Sequence, residues 1–199
     1  LLTGVACFIW HFALLLITKY QTGTFLIRDY FRNYWIKVYP LLWATSSESL
    51  ATPLNLYLVQ KFYPDVKAEV RRLIVGMGSF LNINGTIICV FVMMGVVSSV
   101  VGYPLTFFQL LISIFLVFII SYGVPGIPGE LLLFAGPIVT LLNLPPETAR
   151  IFLLLYLGLQ IGLPDSFRSG NNSTDNCVLS ILLNKVYEEK FIKEEAQHV

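Results

Sequence analysis

The stretch LIVGMGSFLNINGTIICVFVMMGVVSSVVGYPLTFFQLLISIFLVFIISYGVPGIPG, Leu73–Gly129, runs for 57 residues without one Asp, Glu, Lys or Arg. As a single α-helix it would be roughly 85 Å long at 1.5 Å per residue, against a bilayer hydrocarbon core of about 30 Å. It must therefore break and turn. Breakers stand at NING (Asn82–Gly85), at GYP (Gly102–Pro104) and at GVPGIPG (Gly123–Gly129). The apolar pieces between them, Ile87–Val101 and Leu105–Tyr122, are short for a full span, which needs about 20 residues. Short apolar pieces jointed by Gly, Pro and Asn point to re-entrant hairpins and unwound helices. Such backbone is tolerated at membrane depth only where protein buries it or water lines it.

Composition agrees. Of the 199 residues, 56% are hydrophobic and 13% charged, about half the charged share of a soluble domain. A formal net charge of +1, with no Lys/Arg tract, excludes a polybasic nucleic-acid binder. Cys7, Cys89 and Cys177 have no CxxC spacing and read as packing residues. With neither GxSxG nor HExxH, and histidines only at 11 and 198, the chain is not read as an enzyme. His11 reads as an interfacial or packing residue. The sequence opens inside an apolar segment and is taken as a piece of a longer protein.

The pattern comes twice. Phe25–Phe62 gives an arm, the polar tip SSES (Ser46–Ser49) and an arm returning after Pro53, followed by a helix interrupted at NING. Leu105–Leu142 gives an arm, the tip GVPGIPG and a return, followed by a long segment that turns polar at its middle. Hairpin then broken helix, repeated, is how an inverted repeat around a midplane site reads in sequence. The predicted organisation is a transmembrane helix at 1–19, cut at its start, then a cytoplasmic-side connection and first hairpin at 20–63. A helix at 69–102, broken at 82–86, leads to a second hairpin at 104–143. A last helix at 147–187 carries a polar face, and 188–199 is a cytoplasmic tail expected to be solvated and poorly ordered. Lys19–Lys37 holds four basic residues to one acid, and Lys61–Arg72 four to two. Both connections therefore face the cytoplasm, so the first hairpin enters from inside and the second from outside. The chain is thus an all-α, multi-pass protein of the cell membrane, with the lipid bilayer as its medium.

Asp165, Arg168, Asn172 and Asn176 stand at i, i+3, i+7 and i+11 and line one helix face, with Ser169 beside them. Ionisable groups in membrane segments cost about 2.5–3.5 kcal/mol each on insertion scales and are functional by default. Mutual neutralisation of Asp165 and Arg168 would explain the charges but not the adjoining amides and hydroxyls. A guanidinium suits bidentate capture of a carboxylate, and an aspartate one turn away suits an ammonium. Together they describe an acidic amino acid. Each returning hairpin arm offers a helix N-terminus to a carboxylate, SSES adds hydroxyl donors, and Asn82 and Asn84 flank an unwinding glycine that frees oxygens for a cation.

These residues resemble the glutamate/aspartate (dicarboxylate/amino acid:cation) symporter family. NINGT resembles its Asn-Met-Asp-Gly-Thr motif, SSESLATP its serine-rich first tip, GVPGIPG its second tip, and DSFRSGNN the polar face of its last helix. The resemblance covers essentially the whole chain, which corresponds to the family's C-terminal half. It implies an elevator mechanism, a homotrimer, and an N-terminal scaffold outside this sequence. It implies no cofactor beyond a transported Na+ or H+. Position by position, Arg168 would take the substrate's side-chain carboxylate and Asp165 its amino group. Asn172, Ser169 and Thr86 would assist, with Ser47, Ser49, Val124 and Gly126 of the tips. The cation sites would fall on Asn82, Asn84, Asn172 and Asn176, with carbonyls from Gly78, Phe80 and Ser121. The departures are specific. Asn84 and Asn176 stand where the family has aspartates, Glu48 stands where serine is usual, and Glu130 follows the second tip. Losing two carboxylates weakens hard-cation binding, so sodium coupling is expected to be reduced or altered, with Glu48 a candidate proton carrier. A carrier of the same fold for a neutral amino acid, with altered or lost sodium coupling, is the alternative, against which Arg168 argues. A non-transporting truncated fragment is another.

Overall fold

A computed structural model describes residues 1–124 and 126–192. Among them the secondary structure is helical throughout, without a strand. Helix α1, Leu2–Thr22, has no internal breaker and ends where Gly23 turns left-handed at φ 70°, its N–H donating to Lys19 O at 3.0 Å. Its patterning is inside-out. His11, Thr18 and Thr3 are buried, whereas Ile9, Phe12 and Ile17 are more than half exposed. An apolar face turned outward and polar groups turned inward is what a lipid solvent selects.

The first hairpin climbs through α2 (Ile27–Tyr30), a π-helical turn at Phe31–Trp35 and α3 (Ile36–Thr45), then descends as α4 (Glu48–Phe62). Ser46 takes the left-handed conformation at φ 48°, and Ser47 caps α4 by accepting from the Leu50 N–H at 3.4 Å. The return therefore begins at Glu48, not after Pro53. Pro53 lies inside α4. The segment expected at 69–102 is three helices: α5 (Ala68–Ile74), α6 (Gly78–Leu81) and α7 (Asn84–Val100), with α6 and α7 parted by the extended Asn82 and by Ile83.

The second hairpin opens with α8 (Phe107–Ser121), capped by the Thr106–Gln109 box. Across the tip, Gly126 and Gly129 have φ 65° and 80°. A 3-10 turn at Glu130–Phe134 precedes α9 (Ala135–Leu142), so the returning arm does not begin as an α-helix at the tip. The segment expected as one last helix is two: α10 (Pro146–Gln160) and α11 (Leu163–Tyr187), separated at Ile161–Gly162, where Gly162 has φ 101°. The tail expected at 188–199 begins as a π-helical turn, Glu188–Ile192. Residues 193–199 lie outside the described residues.

Helix α11 is the axis of the molecule, packing on α1, α3, α4, α5, α6 and α7. One apolar cluster, around Met94, Phe134, Ile138 and Phe152, joins the second hairpin to α7 and α10. The other, around Leu15, Tyr34, Leu42 and Val59, joins α1 to the first hairpin. Between them runs a polar helix with an almost fully buried middle, Asp165–Val178, in which only Phe167 is not wholly buried. Close approach of α7 to α11 depends on Gly85, since a Cβ there would lie 2.5 Å from Arg168 O and 3.0 Å from Asn172 Oδ1. Gly85→Ala is expected to cost about 1–3 kcal/mol through overpacking, read as earlier thermal unfolding in detergent. An unchanged unfolding curve would contradict the packing.

Candidate functional site at Arg168

Arg168 is fully buried, and its guanidinium has partners on every side. Its Nε donates to Asp165 Oδ1 at 2.8 Å, one turn back on α11. Its Nη1 donates to Glu48 Oε1 at 2.8 Å and lies 2.5 Å from Glu130 Oε1. Its Nη2 donates to two hairpin-tip carbonyls, Ser46 O at 3.1 Å and Ile127 O at 3.2 Å. One side chain thus joins α11 to both tips. The tips also touch directly, the Glu48 N–H donating to Gly126 O at 3.0 Å, and the Gly129 N–H ties the second tip to α11 by donating to Asp165 Oδ2 at 2.8 Å. Glycine is required at 126 twice over, by its positive φ and because a Cβ would lie 2.8 Å from Ser79 Cβ.

The neighbouring polar residues complete a network. Asn172 Nδ2 donates to Glu48 Oε1 at 2.9 Å and to Thr86 Oγ1 at 3.0 Å, and Thr86 Oγ1 donates to Glu130 Oε1 at 2.7 Å. Asn172 also holds the helix break. Its Oδ1 accepts the Gly85 N–H at 2.6 Å and its carbonyl accepts Asn82 Nδ2 at 2.7 Å. Ser169 is buried but bonds its own helix, to Asp165 O at 3.0 Å. Ser47 spends its hydroxyl on the α4 cap, Val124 is buried in the tip, and Ser49 lies on the exposed side of α4. Of the expected substrate residues, Arg168, Asp165, Asn172 and Thr86 thus meet in one network, with Gly126 at its edge, while Ser47, Ser49, Ser169 and Val124 stand around it.

The expected cation ligands are more dispersed. Gly78 abuts the amide of Asn176, Asn82 reaches Asn172, and Ser121 is buried at the end of α8. Phe80 is half exposed and Asn84 half-buried at the start of α7. Among the described residues, Asn176 Oδ1 and Ser121 Oγ are buried without a hydrogen-bond partner.

Asp175, about two turns along α11 from Arg168, meets α1. Its Oδ1 lies 2.5 Å from His11 Nδ1, and its Oδ2 accepts from Trp10 Nε1 at 2.9 Å and Asn171 Nδ2 at 3.0 Å. Tyr30 OH is 3.1 Å from His11 Nε2. His11 is therefore not interfacial. It is buried in a bonded chain because α1 turns its polar face inward. The cysteines are free, buried thiols, with Cys7 and Cys89 sulfurs 3.9 Å apart. A cavity of about 910 Å³ lies away from Arg168, between the end of α1, the loop Tyr63–Lys67 and the end of α11.

Sequence reasoning noted Glu130 and assigned it no role. The signal was present, because Glu130 is the first charge after a 57-residue run without any. The sodium:dicarboxylate symporter family's sequence profile matches residues 1–186. The chain belongs to that family. No curated protein and no solved structure matches it. Membership makes this a membrane protein of a transporter family rather than an enzyme family, with sodium as the family's coupling ion and dicarboxylates as its substrate class. Among the described residues, two helical stretches, Leu2–Thr22 and Gly78–Val100, are long and apolar enough to cross a bilayer.

Proposed function

We propose that the chain carries an acidic amino acid or dicarboxylate across the cell membrane by symport with a cation, as the moving part of an elevator-type homotrimeric carrier. In this reading the two hairpins are re-entrant from opposite faces and gate the site, and a scaffold earlier in the full-length protein is the static partner. The observation that carries the reading is Arg168, a buried guanidinium contacted from both hairpin tips. A fork of fixed donors in a water-excluded place selects a planar anion over a neutral group. Arg168 takes a substrate carboxylate, Asp165 the ammonium of an amino-acid substrate, and Asn172 and Thr86 orient it, with Ser169 and the tip residues Ser47, Ser49, Val124 and Gly126 around them.

The coupling cation is assigned to amide and carbonyl oxygens of Asn82, Asn84, Asn172, Asn176, Gly78, Phe80 and Ser121. The unpartnered Asn176 oxygen supports this. Fewer anionic ligands than the family motif mean weaker cation binding. Glu48 is the group proposed for a coupling proton.

The test is uptake of labelled aspartate, glutamate and succinate by the full-length protein in liposomes, under an inward sodium or proton gradient. Accumulation of an acidic substrate driven by either gradient is the expected result. Sodium drive would keep the amide cation sites, and proton drive would turn coupling to Glu48. Preference for a neutral amino acid over all three would overturn the assignment of Arg168.

A further inference from the structure

The groups assigned above to a substrate's anionic end are already engaged, and by the chain's own acids. Glu48 from the first tip and Glu130 from just past the second share Nη1 of Arg168 through their Oε1 atoms. Asn172 donates to the same oxygen of Glu48, and Thr86 to the same oxygen of Glu130. The two carboxylates come from separate hairpins and converge on one guanidinium, as the two ends of a dicarboxylate would converge on the donors around it. Both are almost fully buried, at 1% and 4% exposed.

Two further observations bear on what this pairing is for. Glu48, Glu130 and Asp165 give three acids to one base around Arg168. A dianionic ligand added beside them would meet like charges at close range in a dry site. Ligand and the two glutamates therefore exclude one another at Nη1. Moreover, Glu48 Oε2 and Glu130 Oε2 are buried with no hydrogen-bond partner among the described residues. The side-chain donors to each carboxylate all reach its Oε1, so each carboxylate keeps bonding capacity that is unmet.

We propose that Glu48 and Glu130 are internal stand-ins for the substrate's carboxylates: they occupy Arg168 when the site is empty, draw the two hairpin tips together over it, and are displaced when substrate binds. The inference rests on the reading of Arg168 as the anion site and adds what happens there between substrates. Closure over an empty site is what a carrier needs in order to recross the membrane unloaded. The clasp therefore serves net transport, and one-for-one exchange, which never needs an empty return, does not depend on it. Because the glutamates compete with the ligand, removing their charge also tightens substrate binding.

Glu130→Gln keeps the side-chain shape, loses the charge and leaves Glu48, the proposed proton group, in place, so it decides the transport test; Glu48→Gln and the double variant are compared for the distance between tips. In liposomes containing the full-length protein, two rates are compared for labelled succinate and aspartate: net uptake into vesicles without substrate, and exchange against the same unlabelled compound inside. The expected result is a ratio of exchange to net uptake at least tenfold above wild type, with a lower half-saturating concentration. Exchange in the same vesicles reports folding. A ratio equal to wild type in a Glu130→Gln protein that exchanges would overturn the proposal.

A second measurement needs no substrate. Spin labels on cysteines introduced at the exposed Leu50 and Ile127 report the distance between tips in ligand-free protein, the native cysteines being buried. A single short distance in wild type that lengthens or broadens in the double variant supports the clasp. Identical distributions refute it. If wild type transports neither succinate nor aspartate, the substrate reading fails on its own account, and the tip distance still decides whether the two glutamates hold the hairpins.

Discussion

Arg168→Ala is expected to abolish uptake of acidic substrates and to destabilise the protein by about 3–5 kcal/mol. The second figure follows from what the substitution leaves behind. Removing one partner of a buried ion pair leaves the other buried and unpaired, at roughly that cost. Here three carboxylates converge on the missing group, and two tip carbonyls, Ser46 O and Ile127 O, lose their donor as well. The first figure follows from geometry, because the described residues place no other cation in the network.

Arg168→Lys separates the two effects. An ammonium restores one positive charge but not the fork that reaches Asp165, Glu48 and the tip carbonyls in different directions. Lysine is expected to recover part of the stability and little of the transport. Uptake in liposomes and thermal unfolding in detergent, measured on the same preparations, read both. Wild-type uptake of succinate or aspartate by either variant would sink the assignment of the anion site.

The sequence disclosed Arg168 and its face because helical spacing is local. Asp165, Arg168, Asn172 and Asn176 fall on one side whatever surrounds them. The breaks at NING and GVPGIPG were legible for the same reason, since Gly, Pro and Asn punctuate the chain without reference to tertiary contacts. The meeting of Glu48 with Glu130 was not legible. It depends on two tips 82 positions apart reaching one side chain (130 minus 48), and no local rule brings them together. The π-helical turn before α3 and the 3-10 turn before α9 were missed because both have ordinary helical composition. The break at Gly162 was missed because it looked like the middle of a longer apolar run. Even the direction of Asp175 was half legible. Its offset of about 100° from Asn176 follows from 3.6 residues per turn, but its partner on α1 is 164 positions away.

That partner sets the last large effect. Asp175→Ala is expected to cost about 3–5 kcal/mol of stability with little change in substrate affinity among molecules that remain folded. Asp175 is fully buried and gathers Trp10, His11 and Asn171, and His11 in turn contacts Tyr30. The chain of contacts fastens α1 and the start of the first hairpin to the middle of α11. It does so about two turns along α11 from Arg168, through contacts that the Arg168 network does not share. Alanine leaves a ring nitrogen, an indole N–H and an amide without their acceptor in a place water does not reach, where each unmet donor costs about 1–3 kcal/mol. Asparagine keeps one acceptor oxygen and is expected to lose less, roughly half. His11→Leu removes the ring from the same chain and should resemble Asp175→Ala in unfolding. Denaturation in detergent and substrate binding to the folded fraction separate a fastening from a transport role. Stability lost with affinity kept places Asp175 and His11 in the fastening of α1 to α11. Affinity lost with stability kept would move them into the transport site.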